Sequence, residues 1–123
     1  EVQGLSLESL SEDPDIAPLL ADLDRAGVVR ADAEESRAAL LYPEPGIAYA
    51  LGEAGWLHLH RYPSVAIAEV RAASIAQDAR NAIIDWVAPP GFYRCGRVIA
   101  LYLGVDDGVK HVLLSRCTLV VEP

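Results

Sequence analysis

"WVAPPGFYRCGRVIALYLG", Trp86 to Gly104, is the stretch whose reading decides the fold. Val98 to Leu103 is its dry part, an unbroken apolar run of six residues. Side chains of a strand alternate between two faces, so such a run is nonpolar on both and belongs in the middle of a sheet. Pro89, Pro90 and Gly91 read as a turn that closes a short strand at Ala82–Val87 and opens a long one at Phe92–Leu103. Phe92 and Tyr93 cap the end of the core, and Arg94 and Arg97 mark the wet end of the long strand.

Further hairpin signals lie upstream. Ile47, Tyr49 and Leu51 alternate with small residues, "GEAG" at 52–55 is a loop, and Trp56 to Tyr62 alternates again. "YPEPG" at 42–46 carries two prolines and cannot be a central strand. Val28 to Ala33 reads as a short strand, and "TLVV" at 118–121 as a last one.

Helices fill the spaces between. Ile16, Leu19, Leu20 and Leu23 fall at i, i+3, i+4 and i+7, one apolar face. Asp13 and Pro14 read as its start and Gly27 as its C-cap, giving a helix at 14–26. The alanine-rich segment 64–77 favours a second helix. A third is expected at 106–117, where Asp106 and Asp107 suit the positive end of the helix dipole and Arg116 the other. The expectation is an α+β domain: an antiparallel sheet of about four to six strands, with two or three helices packed mainly on one face. Its core would draw on Leu19, Leu20, Leu23, Leu57, Leu59, Ile84, Val98 to Leu103, Val112 and Leu113.

Composition narrows the function classes. At 123 residues and 52% hydrophobic content the chain fits one domain at 13–123 that buries its own core, preceded by a flexible acidic lead-in at 1–12. No apolar run approaches the roughly 20 residues of a membrane-spanning helix. The net charge is −8, with 12 acids and three bases before residue 54 and six acids and seven bases after it. A nucleic-acid binder needs a basic footprint to displace phosphate counterions, and none is present. The chain begins at Glu1 and has no methionine. A processed start is therefore expected, with a lipid anchor or leader in the removed segment.

The opening stretch also resembles a group of small bacterial envelope proteins, often lipoproteins. In that group a Trp-x-Ala-Pro-Pro-His-Phe-Tyr turn precedes a strand ending in Tyr-x-Gly and an Asp-initiated helix. The matching residues are Trp86, Ala88, Pro89, Pro90, Phe92, Tyr93, Arg97, Ile99, Leu101, Tyr102, Gly104 and Asp106. "GWLHLHRYP" at 55–63 is similar to the group's strand ending in Tyr-Pro. The likeness spans about 19–116. The chain departs from it at Gly91, where the group has histidine, and at "TLVVEP", which replaces a glycine-rich close. The resemblance implies location and fold, a periplasmic or envelope protein; no cofactor is expected.

Three constellations could carry chemistry. His58 and His60 lie two apart on a strand, so they share a face with Trp56 and Tyr62 while Leu57 and Leu59 turn into the core. His-x-His offers two ligands for zinc or copper, with His111, Asp85 or Glu53 as third ligands by type alone. The same face, with helices on the far side of the sheet, would be open to a protein partner, a small ligand or a second copy, and Arg94, Arg97 and Arg116 would add a positive edge. Cys95 and Cys117 are expected to bond, because a helix or hairpin returning along the long strand brings them together, and a bond implies an oxidising compartment.

Catalytic signals are weak. There is no nucleophile elbow and no phosphate-binding glycine loop. Adjacent acids diverge, and no spacing selects Ser64, Ser74 or Ser115 for a triad. The expected function is a non-catalytic extracytoplasmic binding module; a small metal-binding protein or metal-dependent enzyme built on His58 and His60 is the alternative. Reduced cysteines would point instead to a cytosolic toxin or regulatory domain.

Overall fold

The computed structural model describes residues 7–36, 46–81 and 90–121. The elements run α1 (Leu7–Ser11), α2 (Ala17–Arg25), β1 (Glu34–Glu35), β2 (Gly46–Ala50), β3 (Trp56–Arg61), α3 (Val65–Asn81), β4 (Pro90–Cys95), β5 (Val98–Leu103), α4 (Asp107–Arg116) and β6 (Thr118–Val121). The six strands make one antiparallel sheet in the order β1-β2-β3-β5-β4-β6. This is the expected α+β architecture.

β5 is central, as its apolar run requires. Val98, Ile99, Ala100, Leu101 and Tyr102 are all buried. Val98, Ala100 and Tyr102 face the main core, which Leu57, Leu59, Ile47 and Tyr49 share with the inner faces of α1, α2 and α4. Ile99 and Leu101 face a second core, where Ala68, Ala72 and Ile75 of α3 pack on Phe92 and Tyr62. Three helices thus cover one face and a single helix covers part of the other.

The long strand expected at Phe92–Leu103 is two strands. β4 and β5 form a hairpin with Cys95 opposite Val98, turned by Gly96 and Arg97. Gly96 has φ +64, at the first central position of the turn, where two-residue hairpins of the II′ type require glycine. Pro90 and Gly91 are not the turn but the start of β4. Proline is tolerated at the first residue of a strand, where its missing N–H disrupts least.

Other boundaries also move. α2 begins at Ala17 rather than at Pro14, with Pro18 in its first turn. Asp13 instead closes the preceding turn: its Oδ1 accepts the Asp15 N–H at 2.8 Å and its carbonyl accepts the N–H groups of Ile16 and Ala17. The lead-in expected over 1–12 is helical from Leu7, and Leu10 is buried in the main core. The strand expected at Val28–Ala33 does not form: the chain there is irregular, with the Ala31 N–H donating to the Ala50 carbonyl, and only the two residues that follow pair as β1. α3 starts on the Ser64 cap, whose Oγ accepts the Ile67 N–H, and runs on past Gln77 to Asn81. The expected strand at Ala82–Val87, with Ile84, Asp85 and Trp86, lies outside the described residues, as does most of "YPEPG".

Several readings hold as made. Gly27 takes φ +83 and ends α2; its N–H donates to the Asp24 carbonyl and that of Val28 to the Leu23 carbonyl. This is a Schellman closure, which satisfies carbonyls the helix leaves open. Asp106 caps α4 by accepting the Val109 N–H on its side chain at 3.0 Å. The β2–β3 hairpin and β6 form where expected. Cys95 and Cys117 stand at disulfide distance, with Cα atoms 4.4 Å apart, because α4 returns the residue that follows it beside the end of β4.

Candidate functional site

Among the described residues, two places combine polar side chains with shape. The first is an open cavity of about 690 Å³ between α2 and the 30–33 segment. Its apolar wall is Leu20, Ala17 and Ala21 of α2, with Tyr49 of β2 beneath. The Schellman turn at Gly27 reverses the chain and sets Arg30 back against Asp24. Arg30 donates to both Asp24 oxygens, Nε to Oδ1 at 3.1 Å and Nη2 to Oδ2 at 2.9 Å. Its guanidinium also lies 5.0 Å from the centre of the Tyr49 ring, a cation–π contact. The hydrogen bond from Arg30 holds the Asp24 carboxyl below its ordinary pKa. Burial pushes the Tyr49 hydroxyl up, against a smaller opposing pull from Arg30. Sequence reading missed this cavity; its only trace was an acid and a base placed either side of a C-cap glycine.

The second place is the histidine face of β3. His58 and His60 do share a face, and both reach one oxygen. Ser36 Oγ lies 2.8 Å from His58 Nδ1 and 2.6 Å from His60 Nε2. The hydroxyl has one proton, so at least one ring donates an N–H to it. β1 pairing sets this up: Glu35 stands opposite Ile47, and the Ser36 N–H donates to the Gly46 carbonyl. Gly46 in turn pairs with His60, and a side chain at Gly46 would bring its Cβ to 2.4 Å from His60 Nε2. Glycine is what lets that ring lie over the strand. Ser36 was not among the serines considered from the sequence. It sits in a charged stretch, and nothing local marks it as a partner of residues 22 and 24 positions away.

The face is not the open surface expected. Trp56 is 40% exposed and His58 partly so, but His60 is fully buried and Tyr62 is 3% exposed. α3 covers the Tyr62 end. Trp56 and His58 stack at 6.2 Å with their planes 26° apart. Burial lowers the pKa of His58 and so favours the neutral ring.

Each arginine of the expected positive edge has an acidic partner. Arg94 lies 3.8 Å from Glu69 of α3 and donates to the Gly96 carbonyl. Arg116 pairs with Asp22 of α2. Arg97 donates from Nη2 to Asp13 at 3.2 Å, and its backbone N–H donates to Asp15 at 3.0 Å. Arg61 meets the same Asp13 oxygen at 3.1 Å. This cluster pins the α1–α2 turn to the end of β3 and β5. The proposed third metal ligands do not join the histidines. His111 is on α4, across the sheet, and Glu53 is exposed in the β2–β3 loop. Asp85 lies outside the described residues.

Among the described residues no group of three histidine, cysteine, aspartate or glutamate side chains converges, and no helix is long and apolar enough to cross a membrane. No protein-family model, curated protein or solved structure matches the chain.

Proposed function

We propose that the protein is a non-catalytic extracytoplasmic module that binds a small ligand in the cavity beside α2. The observation that carries this is the cavity itself. Its volume of about 690 Å³ falls in the range of small-molecule sites. One wall is apolar, and a fixed hydrogen-bonding pair stands at its mouth. Such a site suits a ligand with an apolar body and a polar head. The reading is non-catalytic because Asp24 and Arg30 are bonded to each other, which leaves neither poised to move a proton. The disulfide-distance pair Cys95–Cys117 supports an oxidising compartment, periplasm or envelope.

A fragment library screened by saturation-transfer NMR tests the site. Ala21 is an exposed helix position that lines the cavity, so Ala21→Trp fills it without opening the core. Fragments that bind the wild type should lose their signal with the variant. A library that yields no binder, or binders indifferent to Ala21→Trp, overturns the reading. Intact mass after alkylation, with and without reductant, tests the compartment on protein from its native source: both thiols should be protected until reduction.

A further inference from the structure

We propose that His58 and His60, with Ser36 between them, form a binding site for one divalent transition metal of the imidazole-seeking class, copper or zinc. The inference is independent of the cavity, which lies on the opposite face of the sheet. It rests on convergence. A strand places residues two apart about 7 Å from each other on one face. Here two ring nitrogens, His58 Nδ1 and His60 Nε2, aim at a single point that the Ser36 oxygen holds at 2.8 and 2.6 Å.

The Ser36 oxygen now occupies the point at which both rings aim, so an ion can enter only when that hydroxyl rotates away and the two rings close on the ion to a zinc–imidazole bond of about 2.0–2.1 Å. For an ion to bind, each ring presents a lone pair at the nitrogen now facing Ser36 and carries its proton on the other nitrogen, a tautomer shift that leaves both imidazoles neutral. The hydroxyl gives up its place between the rings, and water takes the positions that the two nitrogens leave open. Gly46 is the part of the site that tolerates no side chain, because a Cβ there would stand 2.4 Å from the ligating nitrogen of His60.

The half-exposed side of the site is His58, stacked on the exposed Trp56. An ion enters there, and the ligand set predicts its order of preference. Two neutral imidazoles favour Cu²⁺ over Zn²⁺ and reject Ca²⁺ and Mg²⁺, which seek carboxylate and carbonyl oxygen.

The test uses tag-free protein with its disulfide intact, titrated with CuSO₄ and followed by tryptophan fluorescence and electron paramagnetic resonance. One copper should bind per chain below about 10 μM. Trp56 emission should be quenched, and the spectrum should show nitrogen splitting from two imidazoles. His58→Ala should weaken binding at least tenfold, His111→Ala should leave it unchanged, and ZnCl₂ should compete where MgCl₂ does not. His58 is partly exposed and its loss should spare the fold; if thermal unfolding shows otherwise, His58→Gln replaces it. Copper held as tightly by the His58 variant, copper lost with His111→Ala, or no binding below about 100 μM overturns the assignment.

Discussion

Removing the cysteine pair is the sharpest test of how the two ends of the β4–α4 unit are held. Cys95 ends β4, Cys117 follows α4, and 22 positions separate them in sequence. A bond across that separation removes loop-closure entropy from the unfolded chain worth about 3 kcal/mol at 25 °C. Unfolding entropy near 2.1 cal/mol/K per residue gives a chain of 123 residues about 0.26 kcal/mol/K. The double variant Cys95→Ala/Cys117→Ala should therefore melt about 12 °C lower. Urea unfolding by circular dichroism should show the same loss of about 3 kcal/mol, with a steeper denaturant slope because the unbridged chain exposes more surface when it unfolds. Wild type in reductant should match the variant in both quantities. A loss under about 1 kcal/mol, or wild-type stability unmoved by reductant, would refute the reasoning: the thiols would then be unbonded, or the unfolded loop already restricted.

Two further tests probe the sheet end. Asp13 has a side chain only 1% exposed and accepts from both Arg61 and Arg97, which are 29% and 34% exposed. Asp13→Ala leaves two cations without their shared partner. The loss should be about 2–3 kcal/mol in urea, below the range for a wholly buried pair because water reaches both arginines; an unchanged midpoint would show that the cluster does not dock the α1–α2 turn. Gly96→Ala puts a side chain at φ +64 and a Cβ 2.8 Å from the Asp15 carboxylate. It should cost about 1–2 kcal/mol and lower the melting point by several degrees, and a neutral result would mean that the turn is not the II′ type described.

What the sequence determined by itself is whatever local chemistry dictates. The apolar stripe Ile16–Leu23 and Gly27 made α2 legible, because a 3.6-residue period and a left-handed C-cap are both written within a few residues. Asp106 announced α4 in the same way, "GEAG" announced the β2–β3 hairpin, and the run Val98–Leu103 announced a central strand. Even so, local reading merged β4 and β5. It gave the turn to Pro89–Gly91, whereas the backbone turns at Gly96, where a cysteine and two arginines hid a single glycine.

Only the tertiary structure decided which surfaces meet. Whether Arg94, Arg97 and Arg116 stood alone as a positive edge depended on where Glu69, Asp13, Asp15 and Asp22 came to rest, and each of the three has a carboxylate beside it. Whether the histidine face was open depended on where α3 docked, and it covers the half that holds Tyr62. The pairing of Ser36 with His58 and His60, and the placing of the locally formed Asp24–Arg30 pair against Tyr49, follow from strand order and helix placement. The physical reason is range. Period and turn chemistry act over a few residues and survive in any context. A hydrogen bond or an ion pair acts over about 3–4 Å, and the fold alone brings groups tens of residues apart within that distance.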